Sequence, residues 1–443
     1  MTVVEVEAAA NQVASTITLW SAGRKVCLLL PSTDPAAFLV GLMACQLAGA
    51  VAVPWRENSL PLHEIVDVIQ PDGILQFFSD SPNEVTIAPL KGPLFSGKRV
   101  GEIIMLTSGS TGIPKGVALG FSQLVLNALS AGSAMAIWRC KGWSIDMDMG
   151  LMSALCHMLM AWQYDLPLHH LSNRESSEMS SIFQSGSVGF GGSPIQLIRL
   201  PEKLAKNAQP TMLVSSGDFL SSAMVDEVVA NFPVSRVHKL YGLTEAAGRF
   251  CCMPHELLMQ NKAAVGFPLQ GFQARLSEVE SSGVGEIEVK SPLLMAGYYR
   301  NGGIFEPNNL EWLGTGDLGF LSPDGAITLV GRTDDVMKVG GEKVDRQSIE
   351  TALADILNSW EYCALGVSHP LVGISPALFI STSRGPENLP KWREIVTHLR
   401  ARLPHRFIPA LMYILPNGLP RLANGKIDRQ TLKSNHQNYA RIR

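Results

Sequence analysis

Leu106 to Gly116 reads Leu-Thr-Ser-Gly-Ser-Thr-Gly-Ile-Pro-Lys-Gly. Thr107, Ser108, Gly109, Ser110, Thr111 and Gly112 are small or hydroxylated, and Lys115 follows closely. A run of small residues lets backbone N–H groups converge on an anion, hydroxyls add donors, and the lysine adds charge. A phosphate suits such a loop, although the same composition also marks ordinary surface turns. The run is not the G-x-x-x-x-G-K-[ST] phosphate loop, because Pro114 precedes the lysine and the glycine spacing differs. A second candidate is Tyr241-Gly242-Leu243-Thr244-Glu245. An aromatic ring beside glycine can lie flat against a purine, and Glu245 offers oxygen to Mg²⁺. The less favoured reading of Glu245 is a carboxylate at a helix N-terminus. Asp317, between Gly316 and Leu318, can accept bonds from both hydroxyls of a ribose or simply form a turn. Lys426 follows Asn424-Gly425, a tight-turn pair, so it rides at a loop tip. From there its stem could reach a site on another domain, but a lysine in that place is ordinarily a solvated surface residue.

These residues need elements to hold them. Lys25 to Leu30 has the pattern of a buried strand. Asp34 is an N-cap with Pro35 at the first helical position and Gly49 beyond the end. Further strands are expected at Val51 to Pro54 and Ile74 to Phe78, a β-α-β rhythm implying a mainly parallel sheet. Glu102 to Thr107, Met212 to Ser215 and Val237 to Tyr241 each run as a strand into a polar, glycine-bearing loop. Ligands of open α/β sheets sit at the carboxyl ends of strands, so these three loops form one plausible site. After about Gly283 the strands at Glu286 to Lys290 and Ala326 to Val330 are shorter and more alternating. Gly331 to Asp335 is polar and is expected to lack a strand, with helices near Arg346 to Leu357 and Pro390 to Leu403 beyond it. The fold class is therefore α/β. A large N-terminal domain, 1–333, holds mainly parallel sheets covered by helices plus a β-barrel-like part. A small mobile α+β domain, 334–443, follows.

The 443 residues are 46% hydrophobic and carry a net charge of −3, enough for a core and without a basic footprint for nucleic acid. The seven cysteines are scattered without a C-x-x-C, which argues against a disulfide framework or a zinc site. Ala36 to Val53 and Met147 to Trp162 are apolar but shorter than the ~20 residues of a membrane span, so both are expected as buried core helices. No basic n-region opens the chain, and a cytoplasmic protein is expected. His157 on an apolar stretch reads as a satisfied core residue, and the run of methionines from Met147 to Met160 as plain core.

Together the motifs resemble those of the ANL superfamily of adenylate-forming enzymes, which includes acyl- and aryl-CoA ligases, adenylation domains of nonribosomal peptide synthesis, and luciferases. Thr-Ser-Gly-Ser-Thr-Gly with Lys115, Tyr241 to Glu245, Gly316 to Gly319, Gly331 to Val344 and Asn424 to Arg429 occur in family order between about Val26 and Leu432. The resemblance implies ATP-dependent activation of a carboxylic acid to an acyl-adenylate, with Mg²⁺, followed by transfer to a thiol of CoA or of a carrier protein. It implies that Tyr241 stacks on adenine, that Thr244 contacts the α-phosphate region, that Glu245 holds the metal, and that Asp317 and Arg332 hold the ribose. Ser216, Gly217 and Asp218 match, more loosely, an adenine-contacting turn. Asp334 corresponds to the hinge, Gly340 and Gly341 to a thiol channel, and Lys426 to the catalytic lysine.

Two departures stand out. Relatives carry a Ser-His pair where this chain has Gly120 and Phe121, and Met149 occupies another position that usually lines the acid pocket. Asp146 or Asp148 lies near the region where amino-acid-activating relatives hold the substrate amine. The segment before the first strand is short for the family. The open alternatives are a stand-alone enzyme loading a separate carrier protein, an adenylate-forming enzyme with a non-thiol acceptor, and a non-catalytic nucleotide-binding relative.

Overall fold

The computed structural model describes all residues except 58–60, 79–80, 91–98, 109–113, 173, 282, 334–335, 340–341, 358–359, 370–372, 383–388, 422–426 and 442–443. The chain forms two compact units, one of Met1–Ala274 with Val289–Leu313 and one of Arg275–Glu288 with Gly314–Arg443.

The first unit contains two large sheets, as expected of a domain of mainly parallel sheets. One has eight strands, in spatial order Ile304–Pro307, Gly297–Arg300, Pro114–Leu119, Ile103–Ser108, Val51–Trp55, Cys27–Pro31, Gly73–Phe78 and Ser81–Pro89. Its middle is parallel: Cys27–Pro31 lies between Val51–Trp55 and Gly73–Phe78, and Ala52 faces Ile103 in parallel register. Those central strands are apolar on both faces, as parallel strands covered by helices must be. The helix Pro35–Leu47 is capped by Asp34, which accepts from the Ala36 and Ala37 amides at 2.8 and 3.0 Å. The apolar stretch Ala36 to Val53 is thus a helix followed by a strand, not one helix; Gly49, at φ +66°, turns the chain between them.

The second sheet has seven strands, in order Phe267–Pro268, Cys251–Met253, Arg236–Tyr241, Met212–Ser215, Val188–Gly192, Gly142–Ile145 and Leu168–His170. The last five run parallel to one another. Met147 to Trp162 becomes helix only over Met152–Gln163; the five residues before it form the connection from the strand Gly142–Ile145. That helix is buried along most of its length, including Met158, Met160 and His157. A helix absent from the sequence expectation, Val3–Ser21, precedes the first strand and starts with a capping box between Thr2 and Glu5.

The second unit holds most of a four-stranded sheet of Gln273–Ser277, Gly285–Lys290, Leu313–Leu321 and Ile327–Arg332, the last two antiparallel. Gly331 and Arg332 therefore lie in a strand, contrary to the strand-free reading: the polar side chain of Arg332 is accommodated because it pairs across the ladder with Asp317. A hairpin of Val336–Val339 and Glu342–Asp345 follows. A final four-stranded sheet is built from Glu361–His369, Gly373–Ser381, Leu411–Leu415 and Ala440–Arg441, with the helices Arg346–Leu353 and Trp392–Arg400 supplying Ile349, Leu353, Ile395 and Leu399 to its core.

Candidate active site

The strands Ile103–Ser108 and Pro114–Leu119 are antiparallel neighbours, with Thr107 opposite Lys115. This register fixes the two ends of the hydroxyl-rich loop, while Gly109, Ser110, Thr111 and Gly112 lie outside the described residues. The Thr107 hydroxyl is buried and has no hydrogen-bond partner among the described residues. An orphaned buried hydroxyl is costly, and a ligand oxygen beside the loop would satisfy it.

Lys115 reaches from the eight-stranded sheet to a loop of the seven-stranded sheet. Its ammonium lies 2.9 Å from Glu245 Oε1, and both side chains are largely buried. The Tyr298 hydroxyl donates to the same oxygen at 2.9 Å, and the Lys115 ammonium sits 4.1 Å from the centre of the Tyr298 ring. Burial, and the Glu245 carboxylate as a neighbour and hydrogen-bond partner, push the Tyr298 phenol well above its ordinary range, so it stays a donor. Tyr298 is the functional residue that sequence reasoning missed. It follows Gly297 in a short alternating strand and carries no polar motif of its own; the bend at Gly297 was the only local signal.

The Tyr241 to Glu245 segment is held by a tight knot at the end of the strand Arg236–Tyr241. The Phe250 amide bonds the Tyr241 carbonyl at 2.9 Å, and the Ala246 and Gly248 amides both bond the Leu243 carbonyl at 3.0 Å. Gly242 is required there, since a Cβ would lie 2.6 Å from Arg249 Cα. Thr244 and Glu245 open a short 3₁₀ turn, and the Tyr241 ring packs at 4.9 Å against Phe250.

The third loop departs from expectation in detail. Ser216 is buried and its hydroxyl is spent inward, on Ser153 Oγ at 2.8 Å and His157 Nε2 at 3.1 Å. Gly217, at φ +88°, turns the chain, and Asp218 is exposed and bonds the Phe219 amide at 2.8 Å. Only the backbone of this turn and the Asp218 side chain are placed to meet a ligand. Asp146 pairs with Lys203 at 3.0 Å, and Asp148 accepts from Ser32 Oγ at 2.6 Å and the Gly150 amide at 2.8 Å, so both carboxylates already have neighbours. Phe121 opens the helix Phe121–Met135, and Met149 is fully buried.

In the second unit Asp317 and Arg332 face each other across the ladder, with Arg332 Nη1 2.7 Å from Asp317 Oδ1. Asp317 is nearly buried, and its amide bonds Thr315 Oγ1 at 3.1 Å. Asp334, Gly340, Gly341 and Lys426 lie outside the described residues. The flanking hairpin strands pair Val339 with Glu342.

The chemistry these residues can hold follows from their charges. Among the described residues no cluster of three or more His, Cys, Asp or Glu could hold a metal by itself. One carboxylate, Glu245, suits Mg²⁺ bound together with substrate phosphates, since that ion keeps waters and takes few protein ligands. Lys115 and the orphaned Thr107 hydroxyl suit the phosphates.

A sequence profile of the family described as AMP-binding enzyme matches residues 102–299. A 2-succinylbenzoate–CoA ligase from Oceanobacillus iheyensis is 29% identical, over 90% of this chain and 87% of its own. The o-succinylbenzoate CoA synthetase of Bacillus subtilis, solved with its acyl-adenylate intermediate, superposes with a TM-score of 0.80 at 21% identity, covering 97% of this chain and 92% of that one. The same enzyme in complex with ATP and magnesium ion gives 0.77 at 23% identity, covering 97% and 94%.

Proposed function

Because this chain belongs to the ANL superfamily of adenylate-forming enzymes, we propose that it activates a carboxylic acid with ATP and then passes the acyl group to the thiol of CoA. The observation that carries the reading is the contact of Lys115 with Glu245 and Tyr298, which joins two motif-bearing loops from two different sheets.

In the first half-reaction a carboxylate oxygen of the acid attacks the α-phosphorus, the bond to the bridging oxygen breaks, and pyrophosphate leaves. The protein need form no covalent bond; its work is positioning and neutralising charge. Lys115 and the Thr107 to Gly112 loop take the phosphates, Thr244 takes the α-phosphate region, and Glu245 holds Mg²⁺, which when bound offsets phosphate charge. Tyr298 keeps the Glu245 carboxylate oriented by donating to Oε1. Tyr241 stacks on adenine beside Gly242 and the Ser216 to Asp218 turn, and Asp317 with Arg332 binds the ribose. Lys426, on a C-terminal domain reckoned from residue 334, bridges the acid and ATP oxygens as charge builds. In the second half-reaction a thiolate attacks the acyl carbon, the bond to the adenylate oxygen breaks, and AMP leaves. Turning of that domain at Asp334 replaces Lys426 by the Gly340-Gly341 stretch, where missing side chains let pantetheine pass. The protein acts in the cytoplasm on small molecules, without nucleic acid or membrane; among the described residues no helix is long and apolar enough to cross a membrane.

The test is a panel of acids that includes 2-succinylbenzoate, the substrate named for the relative, with AMP release followed on addition of CoA or a phosphopantetheine carrier. Thioester formed with CoA supports the reading. Release with carrier alone transfers the acceptor role to a separate carrier protein, and adenylate formed without turnover on either thiol points to a different nucleophile. Lys426→Ala should abolish adenylation with an unchanged melting curve; undiminished adenylation refutes its assignment.

A further inference from the structure

A chain of hydrogen bonds in the first unit links three of its segments, and none of the roles above uses it. It starts at the buried Arg249, inside the loop closed by the Phe250–Tyr241 bond. Arg249 Nη2 donates to the Ser153 carbonyl at 3.3 Å and hydroxyl at 2.9 Å. Ser153 Oγ lies 2.8 Å from Ser216 Oγ, which lies 3.1 Å from His157 Nε2. Ser153 and His157 are four positions apart in the helix Met152–Gln163, so one helix face carries both. The chain therefore ties that helix to the turn beginning at Ser216 and to the knot that presents Thr244 and Glu245.

Donor and acceptor chemistry gives the chain a direction. A guanidinium only donates, so Ser153 Oγ accepts from Arg249. Among the described residues the Ser153 hydrogen has one acceptor, Ser216 Oγ, and Ser216 in turn donates to His157 Nε2. That nitrogen must carry a lone pair, and burial, with the Arg249 charge adding to it, holds the His157 pKa well below its ordinary value. Both ends are seated. The Arg249 carbonyl accepts from Asn127, and the His157 ring stacks on Trp143 at 5.7 Å. A Cβ on Gly191 would lie 2.6 Å from that ring, so the imidazole fits because this strand residue is glycine. The Ser216 amide bonds the Gly192 carbonyl at 2.9 Å, which fixes the start of the turn to the same strand.

We propose that Ser216 is a positioning residue rather than a nucleotide ligand, and that Arg249, Ser153 and His157 act through it. Together they fix the turn Ser216 to Asp218 against the knot carrying Thr244 and Glu245. The inference rests on the adenylation reading, in which the turn meets adenine and the knot meets the phosphates and Mg²⁺. ATP touches both at once, so its affinity depends on their separation, and a small shift of the turn takes the base out of register with the phosphates. Hydrogen bonds in a buried series polarise one another, so losing one link weakens the next. An inorganic polyphosphate needs the knot and the Lys115 loop but not the turn, and is indifferent to the chain.

Equilibrium binding of MgATP and of magnesium tripolyphosphate to the full chain tests this. Ser216→Ala removes two links and should raise the Kd for ATP roughly 10-fold, with that for tripolyphosphate held within about twofold. His157→Leu should act in the same direction. His157→Gln should keep the Kd for ATP within about threefold of native, because its amide oxygen reaches about as far as Nε2 and accepts from Ser216. Ser153→Ala should cost roughly fivefold and serves where His157→Leu does not give a cooperative melt. An unchanged Kd for ATP in Ser216→Ala, equal losses for ATP and tripolyphosphate, or Leu and Gln indistinguishable at position 157 each overturn the positioning role while leaving adenylation intact. A native protein that binds no ATP overturns the adenylation reading itself, and the positioning role with it.

Discussion

Removing both members of the Lys115–Glu245 pair should cost less stability than the two single removals added together, and MgATP should abolish that difference. The two charges are 2.9 Å apart, which is roughly 6 kcal/mol of attraction at an effective dielectric of about 20. Desolvation cancels most of it, because the side chains keep only 22% and 13% of their exposure. A coupling of about 1–2 kcal/mol remains, between the values of exposed and of fully buried pairs. The Tyr298 ring softens the loss when the carboxylate goes, since its contact with the ammonium at 4.1 Å persists and contributes about 0.5–1 kcal/mol. The assay is a double-mutant cycle of Lys115→Met, Glu245→Gln and the double variant, by urea unfolding. Without nucleotide the coupling should be about 1–2 kcal/mol. With saturating MgATP it should approach zero, because Glu245 then serves the metal and Lys115 the phosphates. A nucleotide-free coupling below about 0.3 kcal/mol refutes the pair. A coupling unchanged by MgATP refutes the exchange of partners.

Gly242→Ala places a Cβ 2.6 Å from Arg249 Cα, a backbone clash that side-chain movement cannot relieve. It should lower stability by about 1–3 kcal/mol and abolish nucleotide binding, read by thermal melting with and without ATP. Asp317→Asn weakens the contact with Arg332 and the charge-assisted bonds to a ribose; KM for ATP should rise roughly 10- to 100-fold with the melting temperature nearly unchanged. His238 is fully buried in the strand Arg236–Tyr241, neither ring nitrogen has a described partner, and burial lowers its pKa to about 3. The unfolded chain binds a proton there from about pH 6.5 downward while the folded chain does not, so this residue removes stability as pH falls from 6.5 toward 3. His238→Leu should gain on the native protein by up to about 1.4 kcal/mol per pH unit across that window, measured by urea unfolding at several pH values. Parallel pH profiles would show that the histidine is not held neutral.

Much of the framework was legible because local signals and burial agreed. Asp34, Pro35 and Gly49 mark the ends of the helix Pro35–Leu47, and continuous apolar runs mark Cys27–Pro31 and Met212–Ser215 as central parallel strands. The assignment of strands to one or the other of the two sheets was not legible, since a β-α-β rhythm says which strands are parallel but not which sheet each joins. Arg332 was misplaced outside a strand because its polarity is answered by Asp317, fifteen positions earlier. In the candidate site Lys115, Thr244 and Glu245 could be named because glycines and hydroxyls crowd around them. Tyr298 could not: it matters through a contact made across the fold, with Glu245. The inward turn of the Ser216 hydroxyl toward His157 was hidden for the same reason.

The central claim is acid activation by ATP, and the most direct measurement is incorporation of labelled pyrophosphate into ATP as a function of added acid. The account predicts that incorporation depends on both an acid and Mg²⁺, proceeds without any thiol, and collapses in Glu245→Gln. Incorporation that ignores the acid, or none with any acid while ATP still binds, would contradict it.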